Sequence, residues 1–316
     1  MRFKSTLILM VIFLGLALYL HFVEFPKEAE REEAEQKAGR LFSFTVPDVT
    51  ALGIKGPRGI MTLEQSVGHP DVPWRIVSPV ETPANGFTAG SFATQLEQLN
   101  GQLVEEHPSD LKSFGLEPPS YTIQITLHQT DNELLEIGDT NLTGNDIFVR
   151  KGVGPIYLVS GDIKQAAGRT LKEWRRKELF LFDQEAVEGI MLRAPDGTVS
   201  MEKGAKGWTI TSPISESADS TAIEAWLGNL LSLEGDVFID DRKEEAIKGL
   251  GAPILTMELK INQMTKGATF YQDKGRTDLV AGVTDPKSPI YTISKGVFQK
   301  INSPVSLFQK KKETPQ

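Results

Sequence analysis

One motif is written twice, as Trp74-Arg75-Ile76-Val77-Ser78-Pro79 and again as Trp208-Thr209-Ile210-Thr211-Ser212-Pro213, 134 positions later. The neighbours of each copy recur in the same order. Leu41-Phe42 answers Leu181-Phe182, Val49 answers Val187, Leu52 answers Ile190, and Pro57-x-Gly59 answers Pro195-x-Gly197. Beyond the tryptophan, Ala84-Asn85 matches Ala218-Asp219, Leu96 matches Leu230, Gly115-Leu116 matches Gly249-Leu250, and Ile156-Tyr157 matches Ile290-Tyr291. From the tryptophan the spacing holds as far as Gln165 and Gln299, while the length changes fall upstream of it, in turn-like sequence. Loops absorb insertions and periodic segments do not, so this is the pattern of a duplicated fold. The period is far longer than a solenoid repeat, and each copy is expected to be a domain.

Within each copy the first third reads as short β-branched or alternating strands, Val49–Ile54, Gly59–Glu64 and Trp74–Val77, separated by Pro/Gly turns. Ser-Pro ends the third strand because proline lacks the ladder donor. A helix follows, with Phe92, Leu96, Leu99 and Leu103 at helical spacing in the first copy. In the second, Thr221-x-x-Glu224 is a capping-box pattern, and Ile223, Trp226, Leu227, Leu230, Leu231 and Leu233 supply the apolar face. Four further strands close each copy, and connections mostly too short for βαβ crossovers predict mainly antiparallel sheets. The expected fold class is α+β, twice: residues 41–168 and 181–309, joined by a basic helix at 169–180 and followed by a tail at 310–316.

The N-terminus addresses location. Residues 1–5 carry Arg2 and Lys4, residues 6–23 are uncharged and mainly apolar, and residues 24–40 are rich in glutamate. Eighteen helical residues span about 27 Å, enough for a bilayer core. The positive-inside rule keeps the N-terminus cytoplasmic and exports the remainder. A cleaved signal peptide is the rival reading, for which Gly15-Leu16-Ala17 is a poor cleavage site. The favoured expectation is a single-pass anchor, a charged helical spacer, and a periplasmic or otherwise extracytoplasmic bulk.

Chemistry is sparse. With no cysteine there is no disulfide, thiolate metal site or cysteine nucleophile. A net charge of −8 argues against nucleic acid as a partner. His21, His69, His107 and His128 form no metal-binding spacing. The oxygen-rich run from Asp139 to Asp146 lacks EF-hand spacing and reads as a hairpin loop. Neither a nucleotide loop nor a serine-nucleophile motif is present. The expectation is therefore no catalytic residues, no metal and no cofactor. The doubled motif (Trp74, Ser78, Pro79; Trp208, Ser212, Pro213) could line a pocket in each copy, but a core tryptophan followed by a helix cap accounts for it more simply. Trp174, Arg175 and Arg176 pair an aromatic with guanidinium donors and are the candidate contact with a protein partner.

Trp74-x-Ile-x-Ser-Pro79, Ala84-Asn85, Gly115-Leu116-Glu117-Pro118-Pro119, Ile137-Gly138 and Ile156-Tyr157-Leu158-Val159, in that order, resemble the bacterial domain-of-unknown-function family 4340. The resemblance covers nearly all of 41–310. It implies a membrane-anchored protein of the bacterial inner membrane, often encoded beside ABC-type transporter components resembling gliding-motility proteins, and it brings no catalytic residues. The second copy departs from it, with Gly251-Ala252 where the first has Glu117-Pro118. The expected function is a non-enzymatic accessory or scaffold subunit of an ABC-type transport or envelope complex. The alternative is an exported module that binds a ligand or glycan.

Overall fold

The computed structural model describes residues 39–310 except 67, 69–71, 129–131, 242, 273–274, 276–278 and 285–288, together with residues 13, 19 and 21. The chain divides into two units, 1–174 and 175–316. Each is built on one nine-stranded sheet, and the strand order is the same in both.

In the first unit β1 (Val49–Gly56), β2 (Gly59–Gln65), β3 (Trp74–Ser78) and β4 (Thr82–Pro83) step outward as a meander. Helix α1 (Gly86–Glu97) then carries the chain to β5 (Gln102–Glu105) at the opposite edge. A second meander, β6 (Tyr121–Leu127), β7 (Glu133–Thr140), β8 (Asp146–Lys151) and β9 (Ile156–Ser160), starts beside β1 and ends beside β5. Every pairing is antiparallel, as two-residue turns such as Pro57-Arg58 require. Leu52, Ile54, Ile123, Ile125, Leu135, Ile137, Ile147 and Val149 alternate along the central strands and share one buried core with Phe92 and Leu96 of α1. Asn85 caps α1, its side-chain oxygen accepting from the Thr88 N–H at 2.9 Å. Two short helices, α2 (Asp162–Ala167) and α3 (Leu171–Trp174), complete the unit.

The second unit repeats this plan with β10 (Val187–Ala194), β11 (Gly197–Gly204), β12 (Gly207–Ser212), β13 (Glu216–Ser217), α4 (Ser220–Leu231) and β14 (Val237–Ile239). After α5 (Lys243–Gly249) come β15 (Pro253–Ile261), β16 (Met264–Gln272), β17 (Leu279–Val283), β18 (Ile290–Ser294) and α6 (Lys295–Phe298). Asp219 caps α4 from the position that Asn85 holds for α1. The likeness extends to backbone detail. Both Ser78-Pro79 and Ser212-Pro213 are cis, and the ladder slips at the same place in each copy, after Ile76 and after Ile210.

Several expectations need correction. The two tandem antiparallel sheet units are as expected, but the sheets dominate and helices are few, so the described residues are mostly β rather than α+β. Helix α1 stops at Glu97, and Leu103 lies on edge strand β5, 52% exposed; its helical spacing from Leu99 is coincidental. The basic helix expected at 169–180 shrinks to the four residues of α3, and the chain runs on without helix from Arg175. The residues that end the first unit correspond to those that end the second. The Asn85 N–H donates to the Trp174 carbonyl at 2.7 Å, as the Asp219 N–H does to Phe308 at 2.8 Å. The first half of the stretch expected as a linker, 169–174, is thus the closing segment of repeat one, and the chain from Arg175 belongs to the second unit. The anchor (6–23) and spacer (24–40) lie outside the described residues apart from Phe13, Tyr19, His21, Gly39 and Arg40; among the described residues no helix is long and apolar enough to cross a membrane.

Candidate functional site

Antiparallel register gathers one end of the first sheet into a cleft. Gly56 faces Gly59 across the β1–β2 turn, Lys55 faces Thr122 so that Tyr121 lies beside Gly56, and Thr62 faces Ser78 so that Pro79 follows at the same end. The segment from Ala167 to Trp174 passes over these residues and leaves a cavity of about 130 Å³. Ile54, Ile60, Met61, Pro79, Leu171 and Trp174 supply apolar walls, while Arg58, Arg169 and Tyr121 supply the polar groups.

Each polar group is held by something specific. Arg58, on the two-residue turn, donates through Nη1 to the Gly168 carbonyl and so ties the hairpin tip to the end of α2. Arg169 lies with its guanidinium carbon 5.6 Å from the Trp174 ring centre, a cation–π arrangement. Its Nη1 is buried without a hydrogen-bond partner. Glu173 stands nearby, but its carboxylate accepts from the Thr170 N–H and hydroxyl, both at 2.7 Å. Those two bonds, helped by the positive charges of Arg169 and Arg58, hold its carboxyl below the usual range. Tyr121 requires a glycine at 56, since a Cβ there would collide with its ring.

The second unit has a cleft in the same place, about 480 Å³, between Ala194, Asp196, Val199, Pro213, Leu255, Ser303 and Val305. Aligned by the repeat, Asp196 replaces Arg58, Ser303 replaces Arg169 and Leu255 replaces Tyr121. Shorter side chains explain the larger space, and the basic character is gone.

The anticipated residues are distributed differently. Trp74 and Trp208 are core residues, 3% and 5% exposed, each with its carbonyl accepting from the helix-side Ala84 or Ala218 N–H. Ser78 and Ser212 are half-buried, and Pro79 and Pro213 are the members of the motif that line the clefts. The partner-contact trio does not form a surface patch. Trp174 is fully buried against Phe92 in the first unit. Arg175 is 2% exposed in the second, bonded to Asp240 at 2.7 Å and lying over the Phe238 ring. Arg176 is half-buried. A guanidinium can be hidden there because a carboxylate and a ring replace its water.

Arg58, Tyr121, Arg169 and Leu171 escaped the sequence reading. A usable signal existed at Arg58 and Asp196, where the repeat keeps the Pro-x-Gly turn but reverses the charge between its fixed residues. In the run from Asp139 to Asp146, Asn141 accepts from Thr143, Gly144 and Asp146, so its oxygen serves the β7–β8 loop. Among the described residues no group of three or more His, Asp or Glu is placed to hold a metal.

No curated protein and no solved structure matches the chain. The family model described as a domain of unknown function, DUF4340, matches residues 74–253, from the first Trp-Ser-Pro motif to the start of β15 in the second repeat. That match takes in more than half of the chain, which therefore belongs to the DUF4340 family.

Proposed function

We propose that the chain is a non-enzymatic binding protein, held in the bacterial inner membrane by residues 6–23 with both sheet units exported. It serves as an accessory or scaffold subunit of an ABC-type transport or envelope complex. The observation that carries the binding role is the paired cleft: the same concavity at the same sheet end in both units, one lined by Arg58 and Arg169 and the other by Asp196 and Ser303. Duplicated scaffolds with differently charged recesses suit recognition, because complementarity is set by lining residues while the framework stays constant. The membrane placement rests on the apolar run with Arg2 and Lys4 before it. The complex rests on the family resemblance.

The test is affinity purification of tagged full-length protein from gently solubilised membranes, beside a form lacking residues 1–24. Transporter or envelope-assembly subunits recovered in stoichiometric amount with the full-length form, and lost with the anchor, support the reading. Recovery of no stoichiometric partner with either form refutes it.

A further inference from the structure

The cleft of the first unit joins two arginines to largely apolar walls. We propose that it binds a small carboxylate whose hydrophobic part is about the size of a benzene ring, with Arg169 as the residue that recognises the charge. This rests on the binding role read from that cleft and names its ligand class; a failed titration counts against the ligand, while the purification of partners tests the complex separately.

Three observations converge. The cavity of about 130 Å³ is walled by Ile54, Met61, Leu171 and Trp174. A dry engineered cavity of about 150 Å³ accepts benzene, which sets the scale of the apolar group. Arg58 and Arg169 line this apolar recess, and no carboxylate is among its lining residues. Two guanidinium groups on largely apolar walls with no carboxylate opposite them leave positive charge uncompensated at the recess, and an anionic ligand supplies the missing partner. A carboxylate fits better than a neutral carbonyl because charge-assisted bonds to guanidinium are shorter and stronger. The neighbouring acid does not compete for the role: Glu173 directs its bonded oxygen to Thr170, and it is not among the cavity residues. Arg58 closes the rim from the hairpin side through its bond to Gly168 and adds a second positive charge.

The second unit is an internal contrast. With Asp196 and Ser303 in the corresponding places, its cleft repels a carboxylate and has no guanidinium to pair with it. Binding should therefore occur once per chain.

Calorimetric titration of the purified full-length chain with phenylacetate, and separately with phenylacetamide, tests this. Phenylacetate should saturate one site, with the amide about tenfold weaker or worse. Arg169→Gln should erase the preference for the acid, and Arg169→Lys should keep part of it. Glu173→Gln should tighten the acid modestly by removing a like charge. Inorganic phosphate should fail to displace phenylacetate. Equal affinity for acid and amide, an unchanged preference in Arg169→Gln, displacement by phosphate alone, or no saturation by either compound at millimolar concentration each overturns the proposal. Should Arg169→Gln melt far below the parent chain, Arg58→Gln and the acid-to-amide comparison on the parent carry the test.

Discussion

The two repeats fill one framework with exchanged parts. In the first, Phe92 of α1 meets Trp174 edge-on with centroids 5.3 Å apart; in the second, Trp226 of α4 meets Phe308 at 6.1 Å. The large and the small aromatic have traded places across the same gap. A similar exchange occurs at the cleft, where Gly56 with Tyr121 corresponds to Ala194 with Leu255. Interiors packed to crystal density conserve the volume of a pair rather than the identity of a position. The cleft linings obey no such rule. Water or a ligand can fill the remaining space, so Arg58 and Arg169 can stand where Asp196 and Ser303 stand without disturbing the sheet.

The comparison can be broken most forcefully at the aromatic pair. Trp174→Ala should destabilise the first unit by about 3–5 kcal/mol. Hydrogen exchange resolved by peptide should show lost protection over β1–β9 with β10–β18 unchanged. Loss of less than about 1 kcal/mol would mean Trp174 is not a core residue. The exchanged pair Phe92→Trp with Trp174→Phe should cost clearly less than its two single changes added together.

Gly56→Ala comes next, at about 1–3 kcal/mol for forcing the Tyr121 ring aside. Adding Tyr121→Leu reproduces the second repeat and should recover most of the loss, with a coupling above about 0.5 kcal/mol in a denaturation cycle. Strict additivity would show that the two positions do not share space.

The helix caps should behave alike. Asn85→Ala and Asp219→Ala each remove a bond to the third residue beyond, and each should cost about 1 kcal/mol. A large inequality would show that one helix draws its start from elsewhere.

The smallest effect separates the units by pH. Glu173 has its carboxyl lowered, so the stability it adds is complete above the ordinary glutamate value of about 4.3 and is lost as pH falls through its lowered folded value. Leu307 stands at the corresponding place in the second repeat. Glu173→Gln should flatten the acid side of the first unit's melting profile and leave the second unit's unchanged. An unaltered profile in the first unit would remove Glu173 from that account.

Much of this architecture was legible in the chain. The doubled motif, the constant spacing and the period-two runs declare two copies of an antiparallel plan, because strand alternation and turn residues are local properties. Edge strands β5 and β14 were missed for the same reason: at three to four residues, their pairing comes from β9 and β18 and not from their own pattern. Trp174 and Arg175 illustrate the deeper limit. Adjacent in sequence and alike in suggesting a surface contact, they are buried in different units, one by an aromatic ring and one by a carboxylate 65 positions away. The cleft also belongs to that class, because Arg58, Tyr121 and Arg169 are far apart in the chain and meet only when the ladder register and the closing segment bring them to one sheet end. Local sequence determined the elements and their duplication. Which side chains lost their water, and which were left facing a recess, depended on long-range packing that only the tertiary structure decides.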